Sequence, residues 1–122
     1  MKKATDPRHQ FRIKIVEELF AESFASQGKK NEKTLKILEN LTVVDEYIRK
    51  AAPAWPIDKI AKIDLAVLRL AVFEILIDKR EPVKVIIDEA VEISKLFGND
   101  RSPSFINGVL GTTLKLIQEK HE

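Results

Sequence analysis

Apolar residues recur along this chain in three- and four-residue steps, the spacing of one face of an α-helix. The first stripe, Phe11, Ile15, Val16, Leu19, Phe20 and Phe24, predicts a helix over about residues 7–26. Asp6 is a candidate N-cap, and Pro7 fits the first helical position, where its missing N–H costs nothing. After a break at Gly28, Lys29, Lys30 and Asn31, the residues Ile37, Leu38, Leu41, Val44, Ile48 and Ala51 predict one second amphipathic helix, which Pro53 ends. A short helical turn is expected around residues 58–61, with Asp64 a candidate cap for the next segment. Residues 65–77 are apolar on nearly all sides, as in a helix surrounded by others, with Arg69 and Glu74 as exceptions.

Pro82 at a first helical position opens the next predicted helix. Its inward face is Val83, Ile86, Ile87, Ala90, Val91, Ser94 and Phe97, and Gly98 is placed to end it. Ser102 then caps a last helix starting at Pro103, which buries Phe105, Ile106, Val109, Leu110, Leu114 and Ile117. Gly108 and Gly111 in that helix would admit a close neighbour at a cost in helix propensity. The β-branched run at residues 83–87 is the one strand candidate, but its helical spacing continues to Phe97. The pattern therefore predicts an all-α bundle without internal repeats.

Length and composition narrow the class. A chain of 122 residues with 44% apolar and 33% charged residues is one compact domain's worth. The apolar stretch at 65–77 is shorter than the roughly twenty residues a membrane helix needs, and residues 1–15 lack the apolar run of a secretory signal. Together with the absence of cysteine, this makes the cytoplasm the expected compartment. The net charge of +2 divides unevenly: Lys2, Lys3, Arg8, Arg12 and Lys14 against Asp6 give residues 1–14 a charge of +4, leaving −2 for the other 108. Such a basic arm fits either a polyanion contact or an ordinary solvated terminus.

Enzyme chemistry finds little support. The two histidines, His9 and His121, lie near the chain ends, and no phosphate-binding glycine loop, nucleophile elbow or two-histidine helix motif is present. Asp88, Glu89 and Glu92 share two turns of one helix and read as a solvated face rather than a metal site, so no metal or cofactor is assigned. Arg69 and Glu74 must surface, pair internally or meet a partner, because an unpaired buried charge is costly. For Arg69 an ion pair is expected. For Glu74, internal pairing and contact with another protein stay equally open. Phe105, just after the polar turn Asn99, Asp100, Arg101 and Ser102, is either core or a ring on which an unpaired RNA base could stack.

Five blocks carry a family resemblance. They are Asp64-Leu-Ala-Val-Leu-Arg-Leu-Ala-Val-Phe-Glu74, Glu81-Pro-Val, Asp88-Glu-Ala-Val-Glu-Ile-Ser-Lys95, Phe97-Gly, and Phe105-Ile-Asn-Gly-Val-Leu110. In order and spacing they resemble the NusB family of transcription antitermination factors, as do Val44-Asp45, Ile48 and the Ala-Pro-Ala-Trp55 turn. The resemblance is strong over about residues 38–116 and weaker over the first helix. It implies an all-α bundle over residues 1–122 that binds boxA-type single-stranded RNA of ribosomal RNA transcripts. It also implies two partners, the ribosomal protein that doubles as NusE and the transcription elongation complex, with no enzymatic activity. Family members include monomers and dimers, which leaves a homo-oligomer open.

The arginine-rich start of helix one contacts RNA in the family. Arg8 and Arg12 occupy matching positions here, with His9 and Gln10 where further arginines would stand. Charge and resemblance together make Lys2, Lys3, Arg8, His9, Arg12, Arg101 and Phe105 the candidate RNA-binding set, with Phe105 matching the family's RNA-contacting aromatic and Arg101, where the family often has an acidic or neutral residue, partly offsetting the depleted arm. Glu74 matches a position near the ribosomal-protein interface. Between helix one and Leu38 the chain is shorter than typical members by roughly a helix, so a reduced N-terminal half is expected. The alternative is a helical protein-binding adaptor that has lost RNA affinity. The fold also occurs beside ribosomal RNA methyltransferases, and none is expected here.

Overall fold

The computed structural model describes residues 6–26 and 28–120. Six α-helices, α1 (Pro7–Glu22), α2 (Glu32–Glu39), α3 (Leu41–Ala51), α4 (Lys62–Phe73), α5 (Val83–Phe97) and α6 (Ser102–Lys120), account for most of them, with no strand among the described residues. A 3₁₀ turn (Ile57–Lys59) precedes α4, and a π-helical turn (Glu74–Asp78) continues it. α4 is the centre of the bundle and packs against α1, α3, α5 and α6. Leu65, Ala66, Val67, Leu68, Leu70, Ala71, Val72 and Phe73 are all buried, so apolar residues all round this helix mean a neighbour on every side.

Local chemistry sets the boundaries. The Asp6 carboxylate caps α1 by accepting from the Arg8 N–H at 2.9 Å. α1 stops at Glu22, short of the expected residue 26, where the Ser23 hydroxyl donates to the Phe20 carbonyl at 2.5 Å. Phe24 consequently leaves the stripe, lies exposed and sets its ring edge-on to Phe20.

The predicted second helix is two. α2 starts at Asn31, whose side chain accepts from the Lys33 N–H at 2.8 Å, and Asn40 breaks it from α3 while donating to the Lys36 carbonyl at 2.7 Å. Glu18 of α1 accepts from the Asn31 N–H at 2.9 Å and the Thr34 hydroxyl at 2.7 Å, which ties α2 to α1.

Other departures are small. Asp64 sits inside the first turn of α4 instead of capping it; Ala61 holds the cap position. Pro82 is the cap of α5 and Val83 its first residue, so the β-branched run is helical. Phe97, expected inward, is exposed, and the inward stripe runs through Glu89 and Ile93 instead. Ser102 begins α6, and its hydroxyl accepts from the Asn99 N–H at 3.0 Å. A Cβ built on Gly108 or Gly111 would meet nothing within 4 Å, so neither admits a neighbouring helix.

Candidate nucleic-acid interface

The first turns of α1 carry the basic arm, and helical geometry splits it. Arg8 is exposed, its guanidinium 3.3 Å from Glu81. One turn on, Arg12 points into the bundle. Its Nε and Nη2 donate to the two Glu74 carboxylate oxygens at 2.8 Å each, and Nη1 donates to Glu89 at 3.2 Å. Arg12, Glu74 and Glu89 are 5%, 4% and 1% exposed, so this is an interior ion-pair network joining α1, the π turn and α5. Burial alone would lower the Arg12 pKa, but hydrogen bonding to Glu74 and the charges of Glu74, Glu89 and Glu81 outweigh it, holding the pKa above its ordinary value.

One expectation is corrected here and one is narrowed: Arg12 faces inward and not onto an exposed arm, and Glu74 takes the internal pairing of the two readings left open for it. The physical reason is shared: each would be a lone buried charge without the other. His9 is also turned inward, its Nδ1 3.2 Å from a Glu89 oxygen. Glu89 is therefore no part of a solvated face, although Asp88 is exposed and Glu92 half-exposed. Its position was readable: residue 89 lies three after Ile86 and four before Ile93, on the inward stripe. Lys33 adds a further cation, 3.6 Å from Glu74 and 3.2 Å from Asp78. Arg69 pairs as expected, bidentate to Asp45 at 3.0 and 2.8 Å, binding α4 to α3.

Phe105 stands in the first turn of α6, partly buried, with its ring 6.1 Å from that of Trp55 at 76°. Trp55 is half-exposed on the turn between Pro53 and Pro56, a position that sequence reasoning assigned no role. Arg101 is exposed just before α6, its N–H donating to the Asn99 side chain at 2.8 Å. The candidate set thus falls in two places. Arg8 lies beside the start of α5 and Arg101 with Phe105 beyond its end, and α5 is 15 residues long, or roughly 22 Å at 1.5 Å per residue. Lys2 and Lys3 lie outside the described residues. Among the described residues no group of three or more His, Asp or Glu is arranged to hold a metal ion, and no helix is long and apolar enough to cross a membrane.

Comparison with known proteins decides the family, because the model of the NusB family matches residues 12–115. The chain belongs to the NusB family. A transcription antitermination protein NusB from Roseiflexus castenholzii is 48% identical over 84 residues, covering 67% of this chain and 59% of that protein. The NusB protein of Chloroflexus aggregans is 50% identical over 78 residues, covering 62% and 52%. The chain thus spans about half to three fifths of the length of these two NusB relatives. The NusB protein of Alkaliphilus oremlandii is 41% identical over 108 residues, 84% of this chain and 77% of that one. Among solved structures, T. maritima NusB superposes with a TM-score of 0.78 at 30% identity, covering 94% of this chain and 93% of that one, and so carries the same all-α fold. A chain from the crystal structure of a plectonemic RNA supercoil also gives 0.78, at 19% identity over 90% of this chain and 95% of that one, a likeness of fold alone.

Proposed function

We propose that this NusB-family chain is a cytoplasmic, non-enzymatic RNA-binding transcription antitermination factor. It takes a boxA-type single strand of a ribosomal RNA transcript together with the ribosomal protein NusE, within the elongation complex. The observation that carries the reading is the head of α6: a partly exposed Phe105 ring braced by Trp55, with the exposed Arg101 cation one turn before it. An aromatic ring beside an exposed cation suits an unpaired base and its phosphate. Arg8 extends the contact at the other end of α5, with Lys2 and Lys3 preceding it in sequence. His9 acts from behind by its contact with Glu89, and Arg12 and Glu74 hold the surface in shape.

The test is fluorescence anisotropy of a short single strand from a cognate ribosomal RNA leader against a scrambled strand, with and without the ribosomal protein. Selective binding that tightens with the partner is expected. With about three to five phosphates neutralised, log affinity against log salt should slope near −2 to −4. Phe105→Ala should weaken RNA binding by about 1 to 3 kcal/mol while circular dichroism shows an intact fold. Binding of the ribosomal protein with no RNA selectivity in either condition would replace this reading with the protein-only adaptor.

A further inference from the structure

A cleft of about 570 Å³ opens between the start of α1, the start of α2 and the turn leading into α5. That volume lies in the range of sites for small ligands, about 300 to 1,000 Å³. Phe11 forms one wall. The helical stripe assigned this ring to the core, yet it keeps 38% of its surface exposed. The Lys33 ammonium stands over it, 5.8 Å from the ring centroid.

The charges around Phe11 are layered. Glu74, Asp78 and Glu81 line the cleft with side chains that are mostly covered. Above them stand three cations, with the side chains of Arg8, Lys36 and Arg80 exposed by 66%, 59% and 83%. Each acid anchors a cation: Glu81 holds Arg8 at 3.3 Å, and Asp78 holds both Arg80 and Lys33 at 3.2 Å. Glu32, paired with Lys36 at 3.9 Å, is the exposed acid of the lining. The outer rim is thus predominantly cationic, with its guanidinium groups already oriented and donors to spare.

We infer that this cleft is a nucleotide-binding subsite for single-stranded RNA, in which Phe11 receives one base and Arg8, Lys36 and Arg80 hold the flanking phosphates. The inference rests on the RNA-binding reading above and locates a part of the strand far from Phe105. It also gives a source for the positive charge that the arm loses when Arg12 turns inward: α2 and the turn before α5 supply it.

The experiment compares the full chain with three variants in anisotropy titrations of one labelled single strand at several salt concentrations. These are Lys36→Gln/Arg80→Gln, Phe11→Leu, and the control Lys115→Gln/Lys120→Gln at the far end of α6. Two lost single-strand phosphate contacts should flatten the salt exponent by about 1.4 and weaken binding about tenfold near 0.15 M salt. Phe11→Leu keeps an apolar side chain for packing and should cost about fivefold or more through lost stacking. The control should stay within about twofold.

Cleft variants that match the control, while Phe105→Ala still weakens binding, would overturn the subsite and leave the RNA-binding reading standing. Cleft variants that lose the ribosomal protein but keep their RNA affinity would give the cleft to a protein and likewise overturn it. A wild-type chain that binds no RNA would overturn both.

Discussion

Replacing Arg12 by methionine keeps much of the side chain's length and removes its charge. In the folded protein Arg12 makes three hydrogen bonds, two to Glu74 and one to Glu89. Among the described residues, the variant leaves Glu74 with the Lys33 ammonium at 3.6 Å and Glu89 with His9 at 3.2 Å. Breaking a buried pair by removing one partner costs about 3 to 5 kcal/mol, mostly for the carboxylate left behind. Domains of this kind are stable by only about 5 to 15 kcal/mol, so about a fifth or more of the total is at stake. At roughly 3 to 5 °C per kcal/mol for a chain of this size, the thermal midpoint should fall by about 9 to 25 °C. Thermal and urea unfolding followed by far-ultraviolet circular dichroism are the suitable assays, because Trp55 is half-exposed and its fluorescence reports one turn. Methionine at position 74 as well should recover part of the loss, since it removes the stranded carboxylate. The reasoning would be refuted by an Arg12→Met protein within about 1 kcal/mol of wild type whose RNA affinity collapses. That result would make Arg12 a ligand of RNA and not a tie within the fold.

Four further outcomes follow from the structure. Lys79 closes the π turn in the left-handed region at φ 56°, so Lys79→Gly should stabilise the protein by up to about 1 kcal/mol in thermal melts. Gly108→Ala should add about 0.5 to 1 kcal/mol in urea titrations, since its Cβ meets nothing within 4 Å. Gly98→Ala should cost about 1 to 3 kcal/mol in the same titration, because the new Cβ would collide with the Ser102 side chain and lie 2.8 Å from the Ser94 carbonyl oxygen. Asp45→Asn should cost about 1 to 3 kcal/mol by removing the charge that holds Arg69.

The helical bundle was legible in the sequence because it rests on periodicity. The central helix, the inward faces of α1, α3, α5 and α6, and the Arg69 ion pair follow from spacing and from the cost of a lone buried charge. Boundaries were less legible because they turn on single hydrogen bonds. Ser23 and Asn40 end helices by donating to a carbonyl three or four residues back, which no hydrophobic pattern records. Of the candidate site, Arg8 is exposed and Phe105 pairs with Trp55, whereas Arg12 was assigned outward by resemblance and Glu74 was left open between pairing and partner contact. Each needed the other, 62 residues away, to be placed inside. Glu89 was misread because its exposed neighbours Asp88 and Glu92 masked a residue on the apolar stripe.

The split between Arg8 and Arg12 divides α1 into two parts within a single helical turn. Arg8 can be exchanged without touching the interior, whereas His9 and Arg12 moor the helix to Glu89 and Glu74. The exposed cation and the buried one thus meet across a seam four residues wide. Grafting a foreign basic segment onto this bundle should succeed if the join falls ahead of position 9. A join placed one turn later would remove the mooring along with the arm.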